Sequence, residues 1–387
     1  MNKKGTVFVG ISGGVDSALS AMLLLKQGYD VVGVFIKTWH PPFLICNEEE
    51  ERRDAMRIAA FLNIPFLTFD FEDVYKKEVA DYMISEYKMG RTPNPDVMCN
   101  KEVKFGAFMK KSLEMGADFV ATGHYVQIAK NKNTSKKVLG LPSSFDKLRT
   151  RPDYFYKHFS FSLNKAKDPS KDQVYFLWTL KQEQLSKILF PIGHLKKTEV
   201  RELAKKFKLP VADKKDSQGI CFLGDIDLKD FLKHYIKEKK GKVLNEKGEE
   251  IGYHNGVFFH TLGERHGFVI LKKQSNDKPY FIISKDIKKN ILIVSQNKHL
   301  PSERQNISSK SHFSLSLKDT NWISALPEEN KNYKVQIRYH GEFLPCKIII
   351  KNTFSAEVIF EKPVLVASGQ SCVFYDEDIC LGGGVVV

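Results

Sequence analysis

Gly10-Ile11-Ser12-Gly13-Gly14-Val15-Asp16-Ser17 is the stretch whose reading decides the fold. The apolar run 6–11 leads into it and a helix-forming run, 18–25, follows. The order is strand, glycine turn, helix N-terminus. Free backbone N–H groups and the positive end of a helix dipole converge there, a geometry that binds phosphate. Gly13 and Gly14 put no side chain in the way, and Ser12 and Ser17 add hydroxyl donors. No Lys-Ser/Thr pair closes the loop, so it is not a Walker A motif.

Alternation continues downstream. The pattern predicts strands over 30–36, 66–70 and 119–122. It predicts helices over 16–27, 48–62, 73–87 and 101–115, the second with Ala55, Ile58, Ala59 and Leu62 on one face. Such a chain is α/β, a doubly wound parallel sheet covered on both faces. Its ligands bind at the carboxyl ends of the strands, where the 10–17 loop lies. Helical periodicity recurs at 181–189, 198–207 and 227–237. From about residue 242 the texture changes to short alternating runs at 257–261, 280–284, 291–295, 334–339, 343–350, 355–360 and 370–375, suited to all-β modules. The expected organisation is a catalytic domain over 1–217, a small central β-rich module over 218–298 and a C-terminal β-barrel over 304–387. Residues 130–171 interrupt the first. Between Lys130 and Arg151, seven basic residues face one acid, Asp146, which reads as an exposed basic insertion.

The 387 residues are 42% hydrophobic and 27% charged, ordinary for a globular chain with a sizeable core. A net charge of +14 favours a polyanionic partner such as nucleic acid. No window approaches the roughly 18–20 apolar residues of a membrane span, and the first apolar run is too short for a signal peptide. The expected compartment is the cytoplasm. None of the six cysteines forms a C-x-x-C pair, so structural zinc or an iron–sulfur site has little support.

Two cysteines stand in polar, punctuated segments. Gly90-Arg91-Thr92-Pro93-Asn94-Pro95-Asp96-Val97-Met98-Cys99-Asn100 places Cys99 just before a helix expected near Lys101. A thiol at a helix N-terminus beside Lys101 and Lys104 is acidified, and Asp96 is close enough in sequence to serve as acid or base. Lys214-Lys215-Asp216-Ser217-Gln218-Gly219-Ile220-Cys221-Phe222 places Cys221 in a charged, glycine-marked turn. If the two thiols meet, they could relay sulfur and close to a disulfide. His124 either lines the nucleotide pocket or satisfies a turn.

The octet resembles the pyrophosphate loop of the N-type ATP pyrophosphatases, which split ATP into AMP and pyrophosphate while adenylating a substrate. Taken with both cysteine segments, the chain resembles the tRNA-specific 2-thiouridylases, which replace the C2 oxygen of the wobble uridine with sulfur. Supporting blocks run nearly end to end. They include 33–39, Ala121-Thr122-Gly123-His124-Tyr125, 171–177, Phe190-Pro191-Ile192-Gly193, 260–265, Gln336-Ile337-Arg338-Tyr339 and the tail Leu381-Gly382-Gly383-Gly384. The resemblance implies an enzyme, a tRNA-uridine 2-sulfurtransferase acting on tRNAs of the Lys, Glu and Gln type, with ATP and Mg²⁺. It implies that Gly10, Ile11, Ser12, Gly13, Gly14, Val15, Asp16, Ser17, Ile36 and Gly123 bind ATP. Asn94, Pro95 and Asp96 would face the target base, with Cys99 as nucleophile, Cys221 as persulfide carrier and Asp96 moving protons. Lys171, Asp172, Gln173, Arg338 and Tyr339 would contact tRNA. The partners implied are the tRNA anticodon arm and a sulfur-relay donor protein, with no membrane.

Two departures stand out. Ile36 is where the family commonly has Met, and 141–165 is longer than usual. An ATP pyrophosphatase-type synthetase acting on a small molecule is the alternative enzyme, against which the net charge and the cysteine pair weigh. A non-catalytic RNA-binding protein is the other class, against which the intact 12–17 loop weighs.

Overall fold

The computed structural model describes residues 4–44, 47–130, 160–216, 227–271, 278–297 and 313–387. Cys221, most of its segment and the basic stretch 131–151 lie outside the described residues.

The first sheet has the strand order β3-β2-β1-β4-β7, formed by β1 (Thr6–Gly10), β2 (Asp30–Lys37), β3 (Phe66–Asp70), β4 (Phe119–Ala121) and β7 (Ile188–Leu189). All neighbours run parallel. Strand periodicity of two sorts the side chains onto two faces. Val7, Val9 and Phe35 pack with helices α1 (Val15–Lys26) and α2 (Glu48–Leu62) and with the helix Lys197–Lys206. Phe8, Val34 and Ile36 pack on the opposite face with Tyr75, Met83, Phe105 and Phe108 of the helices over 72–88 and 95–114. Both faces are covered, which accounts for the near-continuous apolar strands. The chain winds outward from β1 through β2 to β3, then returns to place β4 on the other side of β1. Order therefore reverses between β1 and β4, and the crevice at their carboxyl ends is the switch point. The expected helix 181–189 is shorter. It covers Gln182–Leu185, after which Ile188–Leu189 extends the sheet, because buried Ile188 and half-buried Leu189 complete the edge beside Val120 and Ala121.

A second sheet of order β10-β9-β8-β12-β11 is built from β8 (Gly241–Leu244), β9 (Glu250–His254), β10 (Phe268–Ile270), β11 (Phe281–Asp286) and β12 (Ile291–Ser295). The expected strand 257–261 is instead a short 3₁₀ turn, Val257–Phe259.

The third sheet closes. In the order β13-β16-β15-β14-β17-β18, with β18 returning to pair β13, six strands form a barrel: β13 (Phe313–Trp322), β14 (Tyr333–Gln336), β15 (Leu344–Asn352), β16 (Ser355–Phe360), β17 (Ser371–Asp376) and β18 (Ile379–Val386). Closure removes the exposed edges. The glycine tail is what permits it. A Cβ on Gly382, at φ +136°, would lie 2.0 Å from the Asn321 carbonyl oxygen, and one on Gly383 would lie 2.7 Å from that of Cys372.

The ends of the expected insertion do not behave as an exposed loop. β5 (Gln127–Lys130) and β6 (Phe161–Asn164) form a hairpin whose second strand joins β18. Leu163 and Ser162 are buried, and Leu163 N donates to Ser324 Oγ of the barrel at 3.0 Å.

Candidate active site

The 10–17 loop turns sharply from β1 into α1. Gly13 has φ +75°, and a Cβ there would stand 2.7 Å from the Glu51 carbonyl oxygen of α2. Only glycine satisfies both conditions. Ser17 Oγ donates to the Gly14 carbonyl at 3.1 Å and lies 3.5 Å from Ser12 Oγ, so the two hydroxyls share one pocket. Gly123, just past β4, sits against the first turn of α1. A Cβ on it would be 2.8 Å from Ser17 N. Ile36 lies under the loop, its Cδ1 3.9 Å from where a Gly10 Cβ would be, with Phe108 at the same distance. Gly10, Ile36 and Gly123 thus lie around the loop. The Ile36 side chain itself is 7% exposed and faces the core.

Asp16, in the first turn of α1, is the hub. Both its carboxylate oxygens accept from Lys197 Nζ, at 2.8 and 2.9 Å, and Tyr125 Oη donates to it at 2.7 Å. Lys197 Nζ also pairs with Asp216 at 2.7 Å, and Asp216 takes Arg201 at 2.6 Å and Lys171 at 3.0 Å. Burial alone would raise the Asp216 carboxyl, but hydrogen bonds from Lys197 and Lys171 outweigh it and hold it at about 2. The network ties the glycine loop to the residue that begins the Asp216–Phe222 segment. Lys197, Arg201 and Tyr125 were not singled out from sequence. The available signal was Lys196-Lys197 at a helix start, where cations are disfavoured.

The structure corrects the reading of Cys99. Its helix does not begin near Lys101. It begins at Pro95, whose missing N–H and fixed φ suit the first helical position. Asn94 caps it, its Oδ1 accepting from Val97 N at 3.2 Å. Cys99 therefore sits in the second turn, its N–H bonded to the carbonyls of Pro95 and Asp96. The dipole acts within the first turn, and Cys99 lies beyond it. Cys99 is 0% exposed and packs in the apolar core with Val97, Val103 and Val174. It opens a stretch of wide, π-type turns, Cys99–Phe108, a geometry that recurs at functional sites. Asn94, Pro95 and Asp96, at the cap and first turn before it, are half-buried.

Lys171, Asp172 and Gln173 precede a 3₁₀ turn, Val174–Leu177. Lys171 faces Asp216. Asp172 Oδ1 accepts from Ala166 N at 2.9 Å and Val174 N at 3.4 Å, and burial raises its carboxyl to about 6. Gln173 Oε1 accepts from Tyr125 N at 3.0 Å. Gln173 thus shapes the loop after β4, and Asp172 ties together the stretch from Ala166 to Val174. Tyr339 packs on Phe176 with ring centroids 4.3 Å apart. Burial raises its phenol, and the carboxylates of Asp172 and Asp96 push further, to about 12. Asp96, Asp172 and Tyr339 are therefore neighbours although far apart in sequence. Arg338 is exposed on the adjoining turn. A cleft of about 1080 Å³ opens here, lined by Lys165, Lys167, Asp172, His194, Tyr339 and His340.

His124 satisfies a turn. It is buried, its Nδ1 lies 2.7 Å from Thr122 Oγ1, and burial followed by Lys104 lowers its pKa well below the ordinary value. Among the described residues, no group of three or more His, Cys, Asp or Glu could hold a metal. Asp16, the acid within the loop, is already paired with Lys197, so among the described residues no side-chain cluster is free to hold a metal.

Residues 5–225 match a family model described as a tRNA methyl transferase HUP domain, 229–296 a tRNA methyl transferase PRC-barrel domain, and 313–386 an aminomethyltransferase beta-barrel domain. Those titles speak of methyl transfer, whereas the full-length relatives carry another name. The tRNA-specific 2-thiouridylase MnmA of Streptococcus thermophilus is 40% identical over 100% of this chain and 96% of its own length. The proteins of that name from Geobacillus thermodenitrificans and Listeria monocytogenes are each 40% identical over 98% of this chain and 94% of their own. With likeness of this degree along the whole chain, the protein belongs to the tRNA-specific 2-thiouridylase family.

Proposed function

We propose that this chain 2-thiolates the wobble uridine of tRNAs of the Lys, Glu and Gln type, using ATP to activate the base and a cysteine persulfide to supply sulfur. The observation that carries the reading is full-length likeness to proteins named for 2-thiouridine formation. The switch-point loop supports it: an anion site with a ring of cations behind it suits a nucleotide whose pyrophosphate must leave.

The chemistry follows from the poor leaving ability of a carbonyl oxygen. Uridine O2 attacks the α-phosphorus of ATP, and the bond to pyrophosphate breaks. The 12–17 N–H groups and the Ser12 and Ser17 hydroxyls receive the departing anion. Mg²⁺ would come with the phosphates rather than from a protein site, and no residue role here depends on it. The terminal sulfur of a Cys221 persulfide then attacks C2, and AMP leaves with the former O2. The Cys99 thiolate takes the Cys221 sulfur, so the sulfur–sulfur bond of the persulfide breaks as a Cys99–Cys221 disulfide forms. An external reductant restores both thiols. Asp96, in the first turn before Cys99, handles the protons. The base must leave the anticodon stack to enter, and the barrel and basic surface grip the arm by backbone and shape. Exclusion of water, for which buried Cys99 is suited, keeps the adenylate from hydrolysing. A sulfur-relay protein loads Cys221, and the cytoplasm is the compartment.

The test is nucleoside analysis of unmodified lysine tRNA after incubation with the protein, ATP, Mg²⁺ and a persulfide donor, a cysteine desulfurase with cysteine, which supplies sulfur already at the persulfide level. Wobble 2-thiouridine, formed only with ATP, is expected. AMP without thionucleoside would reassign the enzyme to another acceptor.

A further inference from the structure

Three parts of the chain meet just upstream of Asn94. The Lys285 ammonium of the central module donates to the Gly90 carbonyl at 2.9 Å and to the His260 carbonyl at 2.6 Å. Thr92 Oγ1 lies 3.1 Å from Thr261 Oγ1 of the same module, and Thr92 N donates to the Ser368 carbonyl of the barrel at 2.8 Å. Gly90, at φ +74°, abuts Ile287, whose Cδ1 would be 2.4 Å from a Cβ there.

A β-bulge aims the lysine. Ile282 pairs with Val294, but the register slips between Ile282 and Ser284, so Lys285 pairs with Leu292. Cross-strand partners point to the same face, and Leu292 and Val294 are fully buried. Without the extra residue, Lys285 would point to the opposite face. Burial lowers its ammonium to about 8, so the fold keeps a desolvated cation at this junction.

We propose that Lys285 is a positioning residue for the reaction. By clamping Gly90 to His260 it fixes where the helix of Asn94, Asp96 and Cys99 begins, so that the central module and barrel set the placement of the nucleophile. This rests on the role given above to Cys99.

The test uses the full chain with Lys285→Met, Thr92→Val and Thr92→Ser. Lys285→Met is expected to lower kcat for thiolation about tenfold or more, since small misplacements are that costly, with ATP and tRNA affinities held near wild type. Thr92→Val should fall in the same direction and Thr92→Ser should restore the rate. Alkylation of Cys99 by iodoacetamide, mapped by mass spectrometry, should change about fivefold or more in Lys285→Met, while Cys346, Cys372 and Cys380 do not change. Unchanged kcat, or a loss matched by ATP affinity, would overturn the proposal, as would unchanged Cys99 alkylation. If wild type forms no thiouridine, the proposed function fails. The alkylation result still decides the positioning claim.

Discussion

Lys197 reaches across 181 residues to lie 2.8 Å from Asp16 Oδ1, and it is 14% exposed. Its ammonium binds the carboxylate of the glycine loop, and it is shared with Asp216. Removing it takes the cation from Asp16 beside the loop, whereas Asp216 keeps Arg201 and Lys171. Lys197→Met should weaken ATP binding at least about tenfold, as expected for the uncompensated Asp16 charge. Calorimetric titration measures it. AMP, lacking the pyrophosphate, should lose much less.

Asp172 gives a pH signature. Its carboxyl sits at about 6 against an ordinary 3.8, raised by burial. Above pH 6 the folded state carries a disfavoured charge. Below 3.8 both states are protonated and the penalty vanishes. Stability from this group therefore falls as pH rises from about 4 to 6. Asp172→Asn keeps Oδ1, which takes both backbone bonds. It should stabilise the protein by about 1–3 kcal/mol at pH 7–8 and by nothing below pH 4. Urea unfolding across pH measures the difference.

The glycine tail makes a structural prediction. Gly382→Ala forces a Cβ onto the Asn321 carbonyl at a φ that L side chains rarely adopt. A loss of roughly 2–4 kcal/mol, read as a drop in Tm of several degrees, is expected. Gly248→Ala, where a Cβ meets nothing within 4 Å, should lose less than about 2 kcal/mol because only its positive φ is strained.

Much of this was legible in the sequence, and the exceptions have physical causes. The strands Phe66–Asp70, Ile291–Ser295 and Ser355–Phe360 and the helix Glu48–Leu62 fall where periodicity placed them, because each buries its own apolar face. Ile36 and Gly123 lie around the loop because parallel topology leaves one switch point. Ile188–Leu189 was read as helix because two residues carry no period; the sheet edge decided them. The Cys99 helix starts earlier than the sequence suggests, because Asn94-Pro95 is a cap followed by a first helical residue rather than loop punctuation. The Asp16–Lys197–Asp216 network and the Lys285 clamp were invisible, since nothing local in sequence pairs residues so far apart.

Cys99→Ser should bind ATP and tRNA as wild type does. It should fail to form 2-thiouridine, a loss of roughly three orders of magnitude or more for an activated nucleophile, seen in single-turnover thionucleoside yield.

The most direct measurement follows the oxygen. Wobble uridine carrying ¹⁸O at O2 is placed in unmodified tRNA and taken through one turnover with ATP and a persulfide donor, a cysteine desulfurase with cysteine. If ATP activates the base by adenylation, one ¹⁸O appears in AMP for each 2-thiouridine formed. If thiouridine forms while the label goes to water or stays in the tRNA, or if AMP appears unlabelled, the activation described here is wrong.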